Sequence, residues 1–367
     1  MTDQEYMRRA IELARGGIGR VNPNPLVGAV IVKEGRIIGE GFHRQYGALH
    51  AERDAISNLT ESAEGATIYV TLEPCCHYGK QPPCTEAILE QKIARVVIGS
   101  RDPNPLVAGK GAAILRSAGV QVEEDFLREE CDELNPVFFH YITTGTPYVV
   151  MKYAMTADGK IATRTGASKW ITGEAARHRV QELRNACTGI MAGIGTVLAD
   201  DPMLNVRIPD RRSPVRIICD SQLRIPMDSQ LVQTAEQYPV IIACAWQEEQ
   251  QELQEKAREL EKRGITVWNL PDEKGQVDLA ELMVKLGREK IDSVLLEGGG
   301  ILNDSALRAG IVSEVQAFVA PKLFGGAQAK SPVEGEGVAD PSEAVMMELK
   351  KMEQIGEDLL LTYRIRR

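Results

Sequence analysis

No stretch of this 367-residue chain approaches the run of about 18 apolar residues that a membrane-spanning helix requires. Nor is there a basic face. The 43 Lys and Arg stand against 52 Asp and Glu for a net charge of −9, and the aromatics, 5 % of residues, nowhere interleave with a basic cluster. A protein that tracks a nucleic-acid backbone needs basic charge and stacking platforms, so neither nucleic acid nor a membrane is an expected partner. The Gly-x-Gly-x-x-Gly spacing of the usual dinucleotide-binding fold is missing. So are internal repeats and any low-complexity stretch long enough for a disordered linker. What is left is a soluble, cytoplasmic chain, 43 % hydrophobic and 26 % charged, with room for two domains at about 100–200 residues each. Its opening segment, MTDQEYMRRAIELARGG, is amphipathic and acid-bearing, which suits a first helix rather than a signal peptide. The acidic balance leaves a small phosphorylated substrate open, because a few local Arg and Lys can hold one phosphate.

Residues 1–145 alternate helical and strand patterns. A helix over 2–16 precedes the apolar strands LVGAVIV and RIIGEGF, then a helix at HAERDAISNL and the strand ATIYVTLEP. A helix from Cys84, the strand ARVVIGS, the helix GKGAAILRSAG, a short strand and one long helix, FLREECDELNPVFFHYITT, complete the segment. Such alternation predicts an α/β sandwich with a mixed or parallel sheet. Gly145 and Pro147 mark the boundary, where a helix ends on glycine and proline precedes the strand YVVMKYAM. The second segment, 146–367, repeats the alternation with strands at PVRIICD, PVIIACAW, ITVWNL, DSVLLEGG and VQAFVAPKL and a charged helix over QEEQQELQEKARELEKRG.

The strongest chemical signal is His50-Ala51-Glu52 followed by Glu73-Pro74-Cys75 and Cys84. One His and two Cys make a three-ligand set for catalytic zinc with the fourth position left for water. Glu52 is the proton-relaying partner in the H-x-E…P-C-x-x-C pattern of zinc deaminases. Residues two apart do not share a helix face, so His50 and Glu52 are expected at the very start of a helix. Eight residues, rather than two, separate Cys75 from Cys84. A closed structural knot built from Cys75, Cys76, His77 and Cys84 is the competing arrangement, although such knots use tighter paired spacings. Cys131, Cys187, Cys219 and Cys244 read as buried free thiols.

NPNPLVGAVIV, HAE, TLEPCCHYGKQPPC and RDPNPLVAGKG together resemble the N-terminal half of the bifunctional riboflavin-biosynthesis deaminase–reductases, and the resemblance continues over essentially the whole chain. It implies a cytidine-deaminase-like α/β/α domain over 1–145. Its zinc ligands are His50, Cys75 and Cys84, one ion per chain, and Glu52 is its proton shuttle. Cys76, where the family more often has Ser, is a bystander thiol. The implied substrate is a diaminopyrimidinone bearing a ribosyl 5′-phosphate, whose 2-amino group leaves as ammonia. Asn24, held between two prolines, is a candidate for orienting base or sugar; His43, His77, Lys80, Asp102 and Asn104 are candidates for ribose and phosphate contacts.

In the second half, Lys152 is expected near the end of a strand, MKYAMTADGKIA, that runs into an Asp-Gly turn and out again. The LLEGGG run predicts a strand, a glycine turn and a helix start, where free N–H groups bind phosphate. KYAMTADGKIA, SKWITGEAAR, GTVLADDPMLNVR, LLEGGG and APKLFGG resemble the family's reductase domain, which implies a dihydrofolate-reductase-like α/β fold over 146–367 and NADPH as cofactor. The same resemblance assigns Ala154, Trp170, Thr196, Asp200, Ser221, Gly298, Gly299 and Gly300 to the cofactor. It assigns Ser168, Arg184, Leu204, Arg207 and Glu297 to the substrate, whose ribosyl group becomes a ribityl chain. Arg184 and Arg207 suit phosphate through their planar forks, and Lys152 and Asp200 are the charged groups expected nearest the reacting sugar, with Lys152 as catalytic candidate. A homo-oligomer is implied. The competing reading is a nucleoside or tRNA deaminase with an accessory C-terminal domain.

Overall fold

The computed structural model describes residues 1–247 and 249–366; Glu248, in the charged stretch expected to be helical, and the terminal Arg367 lie outside the described residues. The chain divides into two compact units, Met1–Gly145 and Thr146–Arg367.

The first unit runs α1 (Asp3–Ala14), β1 (Gly28–Lys33), β2 (Arg36–Phe42), α2 (Ala51–Ser57), β3 (Thr67–Leu72), α3 (Cys84–Glu90), β4 (Arg95–Ser100), α4 (Lys110–Ser117), β5 (Gln121–Glu123), α5 (Arg128–Asp132) and α6 (Pro136–Thr144). Thr2 starts α1 with a capping box: its side chain accepts from the Glu5 N–H, and the Glu5 carboxylate accepts from the Thr2 N–H. The sheet order is β2-β1-β3-β4-β5, with β1 antiparallel to both neighbours and β3, β4 and β5 parallel. Alternation along the strands feeds two cores. Val30, Val32, Tyr69 and Val97 meet Tyr6, Met7, Ala10 and Ile11 of α1. Ala29, Ile31, Ile68, Val70 and Ile98 meet Ala51 and Ala55 of α2, Ile88 of α3 and Ala112 and Leu115 of α4. The result is the expected α/β/α sandwich.

One expectation fails here. The long helix over 126–144 is two helices, broken at Asn135-Pro136, because Pro136 has no N–H and can occupy only the start of α6. The break has a use. Buried Asn135 accepts from the Leu26 N–H at 2.7 Å and donates to the Leu26 carbonyl at 2.9 Å, pinning the loop that carries Asn24.

The second unit runs β6 (Tyr148–Thr156), α7 (Glu174–Ala186), β7 (Gly189–Gly193), α8 (Ile194–Asp200), β8 (Val215–Cys219), α9 (Gln230–Gln233), β9 (Val240–Cys244), α10 (Gln251–Lys262), β10 (Thr266–Asn269), α11 (Leu279–Arg288), β11 (Ser293–Leu296), α12 (Gly300–Arg308), β12 (Val312–Ala320), β13 (Met347–Ile355) and β14 (Asp358–Ile365). These nine strands form one sheet in the order β10-β9-β8-β7-β11-β6-β12-β14-β13. The first seven are parallel, and the β13–β14 hairpin is antiparallel to β12 and to itself. Leu279, Leu282, Met283 and Leu286 of α11 and Ala306 of α12 pack on one face with Met151, Met191, Val294 and Val315. Ala176 and Val180 of α7 pack with Phe318 and Leu360.

Two local expectations fail in this unit. Lys152 lies in the middle of β6, not near its end, and no strand returns after the Asp158-Gly159 turn. Backbone groups that would pair a returning strand are taken by the segment after β12: Ala157 N–H donates to Lys322 O, Ile161 N–H to Lys330 O, and the Asp158 carboxylate accepts from Phe324 and Gly325 N–H. Of the thiols expected to be buried, Cys131 and Cys244 are, whereas Cys187 and Cys219 are half-buried.

Candidate active sites

In the first unit, α2 lies so close to β2 that a Cβ on Gly41 would sit 2.2 Å from the Ala55 N, so only glycine permits the approach. His50 is the residue before the first helical turn, with extended backbone, and Glu52 is in that turn; this is how two residues two apart reach one cleft. Arg53 donates to the Pro82 and Pro83 carbonyls at 3.1 and 2.8 Å, fixing the loop that delivers Cys84 to the start of α3. Glu73 accepts from the Gly109 and Ala112 N–H groups, locking the β3 exit against α4.

These supports bring His50, Cys75 and Cys84 together with their donor atoms all within 4.8 Å of one another. The His50 Nδ1 lies 3.4 Å from Cys75 Sγ and 3.5 Å from Cys84 Sγ. Bond lengths of about 2.0 and 2.3 Å on a tetrahedral zinc place N and S about 3.6 Å apart, so the set fits the ion. Its electrostatics fit as well. The Cys84 thiol holds Cys75 down to about 4, while the neighbouring Cys75 sulfur and burial push Cys84 up. Without a cation only one sulfur of the pair ionises readily, and a divalent cation between them is what would let both bind as thiolates. Glu52 is buried beside them, and burial raises it above the ordinary carboxylate range.

Beside the donors opens a cavity of about 260 Å³. Asn24, His43, His50, Glu52, Cys75, His77, Lys80, Asp102 and Asn104 all line it, so the sequence-derived candidates converge on one cleft with Cys84 buried behind. Their roles divide. His43 donates from Nδ1 to the Leu49 carbonyl at 2.9 Å and accepts at Nε2 from Asn24 Nδ2 at 3.1 Å. Both ring nitrogens are thus occupied, and His43 positions Asn24. Burial lowers the His43 pKa, consistent with this neutral form. Lys80 lies 3.9 Å over the Tyr46 ring, leaving its ammonium at the wall. Asp102 is raised to about 6 by burial and braces the Asn104 N–H at 2.8 Å. Sequence reasoning missed Tyr46, Gln81 and Phe138 as wall residues, and Glu73 and Asn135 as braces. A signal existed for Glu73, an acid inside the TLEPCC run.

In the second unit, β6 and β11 are parallel with Met151 opposite Leu296, so Lys152 and Glu297 follow at one level. Arg184 of α7 donates from Nε and Nη2 to the two Glu297 oxygens, both at 2.8 Å, and from Nη1 to the Asn205 carbonyl at 3.0 Å. Arg184 is therefore committed to Glu297 and is not the free phosphate anchor its residue type suggested. Burial alone would raise Glu297, but the Arg184 guanidinium, with Lys152 and Arg207 nearby, holds it at about 2. Burial lowers the Lys152 ammonium, and Glu297 opposes that. Arg207 is exposed, its backbone N–H fixed by Gln181 at 2.8 Å, and is left as the cation available to a phosphate.

Gly298 and Gly299 form the turn between β11 and α12, and α12 starts with no side-chain cap. Gly299 N–H donates to Thr196 Oγ1 at 3.2 Å and Gly193 N–H to Gly298 O at 2.9 Å, which joins the glycine turn to the start of α8. Gly300 opens α12. Asp200 closes α8, 3.7 Å from Lys169 Nζ. Ser221 stands just past β8 and donates to Gln276. Ala154 is on β6 opposite Phe318, Ser168 is half-buried, and Trp170 is 60 % exposed with the Arg177 guanidinium 4.6 Å above its ring. Leu204 is the exception, since its side chain is buried in the core beside Leu223 and Ile225 and has only backbone to offer a ligand.

Residues 1–100 match the cytidine and deoxycytidylate deaminase zinc-binding region, and residues 147–361 match the RibD C-terminal domain. The chain is 57 % identical to riboflavin biosynthesis protein RibD of Actinobacillus pleuropneumoniae, covering 99 % of this chain and 95 % of that protein. It is 44 % identical to the RibD of Bacillus amyloliquefaciens over 98 % of this chain and 95 % of the relative. Among solved structures, Acinetobacter baumannii RibD superposes with a TM-score of 0.87 at 37 % identity, covering 100 % of this chain and 99 % of the other. A Thermotoga maritima diaminohydroxyphosphoribosylaminopyrimidine deaminase/5-amino-6-(5-phosphoribosylamino)uracil reductase superposes at 0.86 with 38 % identity, covering 99 % of this chain and 98 % of that one. A nucleoside or tRNA deaminase with an accessory C-terminal domain is not favoured by a likeness that spans both units. With a zinc-binding deaminase unit and a reductase unit in one polypeptide, the chain belongs to the RibD family, the bifunctional deaminase–reductases of riboflavin biosynthesis.

Proposed function

We propose that residues 1–145 deaminate 2,5-diamino-6-(5-phosphoribosylamino)pyrimidin-4-one, and that residues 146–367 then reduce the ribosyl group of the product with NADPH. The observation that carries this is the cavity in which a His-Cys-Cys donor set, the buried Glu52 carboxylate and the polar side chains of Asn24, His77, Lys80, Asp102 and Asn104 converge. His50, Cys75 and Cys84 would hold one zinc ion per chain, which would supply Lewis-acid activation of a water for hydrolysis at the ring carbon. Glu52 takes that water's proton and returns it to the departing amine, so water is consumed and ammonia released. Asn24, oriented by His43, holds the base or sugar. His77 and Lys80 receive the phosphoribosyl end, and Asp102 and Asn104 contribute further ribose and phosphate contacts.

In the second unit the glycines 298–300 and Thr196 would hold the cofactor, with Ala154, Trp170, Asp200 and Ser221 completing its bed. Bound there, NADPH would supply the hydride for the sugar carbon. Lys152, flanked by Glu297, donates the proton that accompanies it, and Arg207 holds the substrate phosphate beside Ser168 and the Leu204 backbone. The Arg184–Glu297 pair keeps that wall rigid. No helix among the described residues is long and apolar enough to cross a membrane, which suits work in the cytoplasm. The protein works as a homo-oligomer.

The test is to incubate the zinc-loaded protein with the phosphoribosylated diaminopyrimidinone, with NADPH, with NADH and with neither. Ammonia should appear without nicotinamide, and NADPH should be oxidised only after deamination and faster than NADH. Ammonia release with neither nicotinamide ever consumed would remove the proposed reductase step. No ammonia from a zinc-loaded protein would remove the substrate assignment.

A further inference from the structure

Residues 203–207 carry Arg207 to the wall of the reductase site without belonging to any helix or strand. Side chains from elsewhere in the unit hold their backbone instead. Arg216 Nη1 donates to the Met203 carbonyl at 3.3 Å and Arg184 Nη1 to the Asn205 carbonyl at 3.0 Å. Ser213 Oγ accepts from the Val206 N–H at 3.0 Å, and Gln181 Oε1 from the Arg207 N–H at 2.8 Å. Leu204 and Val206 turn into the core, and Arg207 turns out. Arg216 is shared, because it also donates to the carbonyls of Leu231, Thr234 and Tyr238. Gln181 is the member of this set that touches Arg207 itself. It is buried on α7, one turn before Arg184 and on the same face. The partner is an N–H, so only the amide oxygen of Gln181 can face it.

No carboxylate among the described residues pairs with the Arg207 guanidinium, so the fold fixes this residue through its backbone. The charge nevertheless lies close enough to Glu297 to help hold that carboxyl down, which puts it at the same wall as Lys152. We propose that Gln181 is a positioning residue of the reductase, which aims the exposed Arg207 guanidinium at the substrate phosphate by holding the Arg207 amide. The inference rests on the reading of Arg207 as the phosphate anchor. A long exposed side chain has several free torsions, and ordering them on binding costs entropy. With its backbone fixed, Arg207 sweeps a restricted volume at the mouth of the site and less of that cost falls on the ligand. Methionine at 181 keeps the length and helix propensity of glutamine but gives the N–H no oxygen. The guanidinium then drifts with its backbone, while Lys152 on β6 and the glycine turn before α12 stay where they are. Phosphate affinity should fall by about the worth of one buried hydrogen bond, roughly tenfold, without a change in turnover.

The test is steady-state NADPH oxidation by the full-length, zinc-loaded protein on the deaminated phosphoribosylated pyrimidine and on the same compound with its phosphate removed. Q181M should raise the KM for the phosphorylated compound about tenfold, with kcat and the KM for NADPH unchanged. Q181E, which keeps an acceptor oxygen at the same reach, should restore most of that loss. Q181M should not worsen R207M, and on the dephosphorylated compound it should match wild type. Hydrogen exchange on the unmodified protein needs no variant to fold: the Arg207 amide should gain protection from the phosphorylated compound without NADPH, and none from the dephosphorylated one. An unchanged KM in Q181M, a loss shared by kcat or NADPH, a Q181E no better than Q181M, equal penalties with and without Arg207, or no gain in protection overturns the role of Gln181. An R207M variant with the wild-type KM would remove the phosphate anchor itself, and this inference with it.

Discussion

Removing Arg184 should destabilise the second unit far more than a surface substitution would. Its guanidinium and the Glu297 carboxylate are 13 % and 11 % exposed and joined by two bonds of 2.8 Å, so truncation strands a buried carboxylate. Breaking such a pair from one side costs about 3–5 kcal/mol. An independent figure agrees: Glu297 falls from 4.5 to about 2 in the folded state, and at about 1.4 kcal/mol per unit this is roughly 3 kcal/mol. Because the folded pKa is depressed, that stabilisation is fully present above about 4.5 and is lost as the pH falls through about 2. The expected result for Arg184→Met at pH 7 is a loss of about 3–5 kcal/mol in the urea transition of the second unit, most of it recovered in R184M/E297L. Wild type should lose stability from pH 4.5 downward more steeply than the double variant. A single variant within about 1 kcal/mol of wild type, or identical acid profiles, would refute the claim that a desolvated ion pair braces the reductase wall.

Glu52→Gln should keep its zinc by metal analysis while ammonia release falls about 10²–10⁴-fold, the usual worth of a positioned acid–base group; full activity would exclude Glu52 as the shuttle. Cys84→Ala should lower zinc content and abolish deamination while leaving NADPH oxidation on supplied deaminated substrate unchanged, which the two units' separate cores support. Lys152→Met should slow NADPH turnover on saturating substrate with little change in cofactor binding by fluorescence titration, and undiminished turnover would remove Lys152 from the chemistry. Asn135→Ala should cost about 1–3 kcal/mol and raise the KM for deamination, because two buried bonds to the Leu26 backbone are lost beside Asn24.

Elements with strong local pattern were legible in the sequence. The strands RIIGEGF and VIIAC follow from short apolar runs, and the helix opening at Cys84 from the prolines before it. The helix over 126–144 was misread because apolar spacing outweighed Pro136, although proline by itself marked the break. The β13–β14 hairpin went unread for a different reason: MMELKKMEQI alternates poorly across its bulge and carries four charges in the middle. In the deaminase cleft the ligands and Glu52 were legible, since zinc chemistry demands few residue types at nearby positions. The braces were not, because Asn135 is 109 residues from Leu26 and nothing in either neighbourhood records the bond.

Residue type and short-range spacing, read from the sequence alone, determined the donor set, the relay carboxylate, the two α/β units and the glycine turn before α12. These depend on chemistry that local sequence must supply. Which charges are free and which are spent was decided by the tertiary structure. Arg184 and Arg207 look alike as letters, yet packing buries the first against Glu297 and leaves the second in solvent. His43 resembles a ligand contact until its two nitrogens are found occupied. Burial and pairing are properties of groups distant along the chain, and they set the charge, reach and role of each residue only once the fold has brought those groups together.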